Sequence, residues 1–307
     1  LEANYAKPVT MAHLMTHTAG FDERFTGMAA RTEDEAVPLG EYLASHMPPR
    51  VLPPADVISY SNHGLGLAGY VVEEITGAPF ARYAAENILM PLGMRHSSFA
   101  LSAHLVPHLA VGYQIHRGRY EAVPLDCLDQ LAPAGSLNAT ASDMARFMLA
   151  HLQLGRYENA RILEEATARE MQQQHFTHHP RLPGVAYGFF EDYINGERAL
   201  SHGGAWRGFA SLLVLLPERR LGYFLACNRM EPDLVLGFHE QFVDRAFPPP
   251  ESLAHRTAPV TGARELQRFA GSYRHTRYSR HTAEKLGILL GQLRVVVNSD
   301  ASLTLRT

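Results

Sequence analysis

Apolar residues recur at helical spacing through the first half of the chain and crowd into short dense runs in the second. Residues 11–17 read as a short amphipathic helix, with Pro8 and Thr10 as start signals and Gly20 as its stop. A loop follows over 21–35. The proline-rich stretch 47–56 (MPPRVLPPAD) must be extended, and it leads into Ile58-Ser59-Tyr60-Ser61-Asn62. Residues 65–76 predict a helix ending at Gly77, and 80–88 resume the pattern before Pro91-Leu92-Gly93, so the two helices share a core face. Residues 96–134 read as irregular loops and short strands. Further helices are expected from an N-cap at Ser142 and over 164–174.

The period then changes. Residues 187–193, 210–216 and 221–228 are aliphatic and aromatic runs separated by Asn195-Gly196 and Pro217-Glu218-Arg219-Arg220, as in antiparallel hairpins. Residues 234–247 predict a helix closing on that sheet. Helices first and hairpins after give an α+β class, with an antiparallel sheet flanked by helices, a mainly helical subdomain, and a cleft between the two. Residues 1–247 are expected to form the main unit. Pro248-Pro249-Pro250 opens a linker over 248–262. Residues 263–307 hold a strand-like opening at 269–274 and a run at 293–297 that ends at Asn298-Ser299-Asp300. So short a piece hardly builds a core alone, and it reads as the start of a C-terminal β-domain.

A hydrophobic share of 46% rules out a disordered or collagen-like chain. The formal charge of −3 gives no overall field to recruit nucleic acid or an anionic membrane, which leaves a neutral or small substrate as the default. All but two of the 28 cationic side chains are arginine, so a mechanism that needs lysine has only Lys7 and Lys285 to draw on. Cys127 and Cys227 allow at most one bridge and form no disulfide framework or zinc cluster. The chain opens at Leu1 without a charged-then-apolar leader and is expected to be a fragment or a processed product.

Three places could carry chemistry. His13 and His17 stand at i and i+4 on one helix face, but a third ligand is missing and Leu14 stands where a zinc peptidase has its glutamate. The expectation is imidazoles bonded to nearby backbone and no bound metal; His178-His179 is a weaker candidate of the same kind. Tyr60 and Asn62 would project from one side of an extended segment, a phenol able to shuttle a proton beside an amide able to hold a carbonyl. In the run from Ser201 to Phe209, paired glycines let a ligand approach a strand edge.

Thr10-Met11-Ala12-His13-Leu14-Met15-Thr16-His17-Thr18-Ala19-Gly20, then Tyr60-Ser61-Asn62, then His202-Gly203-Gly204 together resemble the serine β-lactamase-related family. That family includes class C β-lactamases, D-alanyl-D-alanine peptidases and family VIII esterases. The resemblance covers about residues 1–247, and residues 269–293 further resemble a β-domain that trails some longer members. It implies a β-lactamase/transpeptidase-like fold and acyl-enzyme hydrolysis of a small ester, amide or peptide by a serine and a lysine in the pattern SxxK, with no cofactor. No SxxK occurs in these 307 residues, since Asn4 and Thr282 precede the two lysines at that spacing. In the family that helix precedes the stretch at 10–20, so the nucleophile is expected upstream of Leu1 and this chain alone is expected to be inactive.

By motif position the resemblance makes Tyr60 the proton-shuttling tyrosine and Asn62 the side chain that orients the substrate. His202 stands where the family's KTG signature has lysine, Gly203 and Gly204 continue the strand edge, and the Ala205 N–H is one oxyanion donor. An imidazole is mostly neutral at pH 7, which weakens carboxylate recognition and favours an esterase or peptidase-like hydrolase over a true β-lactamase. The alternative is a non-catalytic binding protein that keeps the cleft. The family also implies a cell-envelope or periplasmic setting, with membrane attachment, if any, through segments outside this chain.

Overall fold

The computed structural model describes residues 5–101, 105–249, 263–289, 291–300 and 302–306. Helix α1 (Met11–Met15) begins with a reciprocal cap: Thr10 Oγ1 accepts from the His13 N–H while His13 Nδ1 accepts from the Thr10 N–H. It is shorter than the pattern predicts because His17 takes φ 54° and Gly20 φ 80°, turning the chain away from the helix axis. Helix α2 (Leu39–His46) packs beside α3 (Asn62–Thr76), which starts at the cap Ser61, whose Oγ accepts from the Gly64 N–H, and stops at Gly77 with φ 68°. No atom lies within 4 Å of a Cβ added at Gly77, so only the backbone resists a side chain there. Gly77→Ala is therefore expected to cost about 1 kcal/mol, read as a lower urea midpoint at unchanged slope. An unmoved midpoint would show that the left-handed cap matters little.

Helix α4 (Phe80–Ala84) runs on through a π-turn at Ala85–Leu89. After the hairpin of β1 (Gly112–His116) and β2 (Arg119–Val123) come α5 (Ala132–Gly135) and α6 (Ala141–Leu152). The α6 cap is Thr140, not Ser142: Thr140 is extended and its side chain accepts from the Asp143 N–H, leaving Ser142 inside the first turn. The two-residue strands β3 (Arg156–Tyr157) and β4 (Ala160–Arg161) precede α7 (Glu165–Met171).

The central antiparallel sheet has the order β5 (Phe190–Ile194), β6 (Glu197–Trp206), β7 (Phe209–Leu216), β8 (Leu221–Cys227). Asn195 and Gly196 turn β5 into β6 with φ 55° and 85°, the pair of positive angles a tight hairpin requires. Helix α8 (Pro232–Ala246) follows β8. β7 reads as an apolar run broken only by Ser211 because both its faces are covered. Leu213 and Leu215 join Leu200, Met144 and Met148 of α6 in one core, while Leu212, Val214 and Leu216 join Val235 of α8 in another. A third cluster, Met28, Leu39, Tyr42, Leu43 and Leu131, centres the helical subdomain, and Trp206 at the end of β6 packs against it.

The predicted linker over 248–262 lies, from 250 on, outside the described residues. Beyond it, β9 (Gly271–Arg274), β10 (Gln292–Val297) and β11 (Leu303–Arg306) form an antiparallel sheet with β10 in the middle. Among the described residues no helix is long and apolar enough to cross a membrane.

Candidate active site

Tyr60 is fixed by the residues on either side of it. The Ser59 N–H donates to the His17 carbonyl at 2.8 Å, and the Ser61 N–H donates to His17 Nδ1 at 3.2 Å. The left-handed turn at His17 thus grips the segment that leads into α3. The two ring centroids lie 4.1 Å apart. Phe190, the first residue of β5, and His202 of β6 complete the cluster, their centroids 6.3 and 6.2 Å from that of Tyr60 and 5.9 Å from each other. Four rings from four separate stretches of chain therefore meet at one place.

The sheet next to them is open. β5 pairs with β6 only as far as Phe190 opposite Ser201, whereas β7 pairs with β6 through to Trp206. Among the described residues the outer edge of β6 is free from His202 onward, and Gly203, Gly204 and Ala205 are exposed along it. A Cβ at Gly204 would fall 2.6 Å from the Ser211 Oγ on β7, so a side chain there would have to turn that hydroxyl aside.

Asn62 does not follow from the strand-like reading. Extended backbone ends at Ser61, Asn62 is the first helical residue, and its buried amide nitrogen lies 3.9 Å from Met28 Sδ. Alternation along a strand no longer governs which way it points, so the sequence-based placement of Asn62 in an extended segment is corrected here. The helix start intervenes because Ser61 finds a better partner in the Gly64 N–H than extended chain would offer.

Burial sets the charges. The His17 imidazole is pushed down to about 3 from its usual 6.5, first by burial and then by the charges of His202 and Arg277. Burial also lowers His202, against a smaller opposite effect from its Nδ1 contact with the Gly203 carbonyl at 2.8 Å. Both imidazoles are neutral at pH 7, and with Nδ1 of His17 accepting from Ser61 its proton sits on Nε2. The Tyr60 phenol is raised by burial, offset in part by Arg277 and reinforced by Glu23, so it keeps its proton. Its hydroxyl makes no hydrogen bond among the described residues.

Arg277 is a residue the central motifs do not point to. Its guanidinium carbon lies 4.5 Å from the Tyr60 ring centroid, and Nε is hydrogen-bonded to the buried Glu23. The only sequence signal for it is the arginine-rich run at 274–280 set against Asp22-Glu23, some 250 residues earlier. His17 and Phe190 were missed as members of the site because ring contacts across the fold leave no local pattern.

His13 and His17 both bond backbone N–H groups, of Thr10 and Ser61, as the sequence led one to expect. His178 Nε2 accepts from the Ile58 N–H and His179 Nδ1 from the Arg181 N–H. Among the described residues no three His, Cys, Asp or Glu side chains are grouped to hold a metal. Together these residues offer a protonated phenol, two neutral imidazoles, an open glycine edge and an arginine. No SxxK stands in these 307 residues.

Residues 1–244 match the protein family described as Beta-lactamase. Penicillin-binding protein 4* of Bacillus subtilis (strain 168) is 22% identical over 291 residues, which make up 86% of this chain and 62% of that protein. Other curated relatives are covered less: Penicillin-binding protein 4 of Amycolatopsis lactamdurans is 31% identical over 183 residues, 56% of this chain and 46% of its own length. The chain thus spans less than two thirds of these relatives. Among solved structures, the octameric penicillin-binding protein homologue from Pyrococcus abyssi superposes with a TM-score of 0.65 at 21% identity, over 99% of this chain and 67% of that one. The fold is therefore the mixed α+β, β-lactamase/transpeptidase-like one.

Proposed function

Because the chain belongs to the beta-lactamase family, a family of hydrolases, we propose that its cleft serves acyl-enzyme hydrolysis of a small ester, amide or peptide. The observation that carries this reading is the meeting of Tyr60 and His202 beside the unpaired edge of Gly203, Gly204 and Ala205. A substrate laid along that edge pairs its backbone with β6, as an added strand does. A serine hydroxyl supplied by polypeptide outside these 307 residues attacks the carbonyl as its proton passes to the lysine of the same SxxK, and the Ala205 N–H donates to the oxyanion. Tyr60, protonated at rest, hands its proton to the leaving group, and Asn62 orients the substrate from the first turn of α3. In this reading residues 1–247 carry the catalytic unit and residues 263–307 open a C-terminal β unit.

With a neutral imidazole at 202 in place of a lysine, the cleft favours esters and peptides over β-lactams. The absence of SxxK from the chain favours a second reading, a binding protein that keeps the cleft without the nucleophile. One experiment separates the two. The full protein and the 307-residue chain are incubated with a chromogenic ester and a chromogenic cephalosporin, and both are examined by intact-mass spectrometry for a covalent acyl adduct. The hydrolase reading expects an adduct and ester turnover from the full protein alone. A full protein that forms no adduct is a binding protein, and turnover by the short chain would place the nucleophile within it.

A further inference from the structure

The segment around Arg277 is tied down at both ends, at one onto the backbone that leads to Tyr60 and at the other onto the loop after α1. Thr276 Oγ1 donates to the Ile58 carbonyl at 2.6 Å, and Ser59 Oγ donates to the Thr276 carbonyl at 3.2 Å. Farther along, the buried Asp22 carboxylate accepts from the Arg280 and His281 N–H groups at 2.9 and 3.1 Å. Glu284 accepts from the Phe25 and Thr26 N–H groups. Residues 276–284 thus form a strap across residues 22–26 and 58–59. Within it, Arg277 reaches the Tyr60 ring at 4.5 Å and the Phe25 ring at 4.9 Å, with Nε fixed by Glu23.

The groups that face Tyr60 are His17 from the turn after α1, His202 from β6, Glu23 from the loop after α1, and Arg277 from the strap. Both imidazoles are neutral, so the positive charge at the phenol comes from Arg277. We propose that Arg277 is a positioning residue of this site: held by the 276–284 strap, its guanidinium keeps a fixed positive charge on the face of the Tyr60 ring and stabilises the negative charge that develops on the phenolic oxygen. The inference rests on the proton-donor reading of Tyr60. In that step the Tyr60 O–H bond breaks, its proton joins the leaving-group atom as the acyl bond to it breaks, and the electron pair stays on the phenolate until the water that attacks the acyl-enzyme gives it a proton. That water's oxygen bonds to the acyl carbon as the ester bond to serine breaks. The Arg277 side chain is half-buried, and its hydrogen bond to the buried Glu23 holds it over the ring rather than out in solvent.

The test has one arm that needs no turnover. Ultraviolet difference titration of the 307-residue chain, with Tyr60→Phe as the blank, isolates the ionisation of Tyr60. Arg277→Gln is expected to move its midpoint upward by about one pH unit, and Arg277→Lys to restore most of the difference. In the second arm, the full protein carrying Arg277→Gln loses about 3- to 30-fold in kcat on the chromogenic ester, with KM little changed and the urea midpoint as control for folding. Added to Tyr60→Phe, Arg277→Gln should cost nothing more. An unmoved titration midpoint, or the same fold-loss in the Tyr60→Phe background, overturns the role of Arg277 and leaves the hydrolase reading standing. Full ester turnover by Tyr60→Phe overturns the proton-donor reading instead.

Discussion

Tyr60→Phe is expected to lower kcat/KM of the full protein on a chromogenic ester by about 10²- to 10⁴-fold, the usual contribution of a positioned proton donor. The substitution is unusually clean here. The ring keeps its contacts with His17, Phe190 and His202, and the hydroxyl it loses is bonded to no described residue. Folding should therefore change by well under about 1 kcal/mol, because no hydrogen bond is broken and no cavity of note is opened. A loss of activity at an unchanged urea midpoint assigns the hydroxyl to the chemistry. Undiminished turnover removes Tyr60 from the mechanism and with it the case for this cleft as the reaction centre.

Acid should unfold the protein well above the pH at which its carboxylates are protonated. His17 is held near 3, and His63 and His151 near 4, each chiefly by burial. His63 Nε2 meets the Tyr42 hydroxyl at 3.0 Å, and the His151 ring lies against Phe147 and Phe189. Among the described residues none of these rings forms an ion pair with a carboxylate, and the charge of Glu284 offsets only part of the burial of His63. Their folded-state values lie below the unfolded 6.5, so the unfolded chain binds more protons as pH falls between the two. The stability they contribute is complete above about pH 6.5 and is lost as pH drops towards 3–4. At pH 4.5 the loss is about 2 kcal/mol or more for each ring, roughly 6 kcal/mol together, comparable with the whole stability of many domains. Glu23, which burial raises, works in the opposite direction but as one group against three. Urea titrations at pH 7.5, 5.5 and 4.5 are expected to show this fall, and His151→Gln to make it shallower. A midpoint that stays level down to pH 4.5 would mean that the imidazoles are charged in the folded state or reach water.

Local chemistry determined much of this protein. The Thr10–His13 cap, the left-handed stop at Gly77, the hairpin at Asn195-Gly196 and the apolar run of β7 each depend on residues a few places apart, and short-range energetics left few other choices. The three motif stretches could likewise be read one at a time, and Tyr60 and His202 do meet. Tertiary structure alone decided the rest. It stopped β5 at Phe190, which left the glycine edge open, whereas the helix start at Asn62 came from the local Ser61 cap. It also brought Arg277 from the far end of the chain onto Tyr60 and Glu23. Contacts between residues more than 200 places apart form only once several elements have packed, and a charge pair of that kind leaves no periodicity in the chain to be read beforehand.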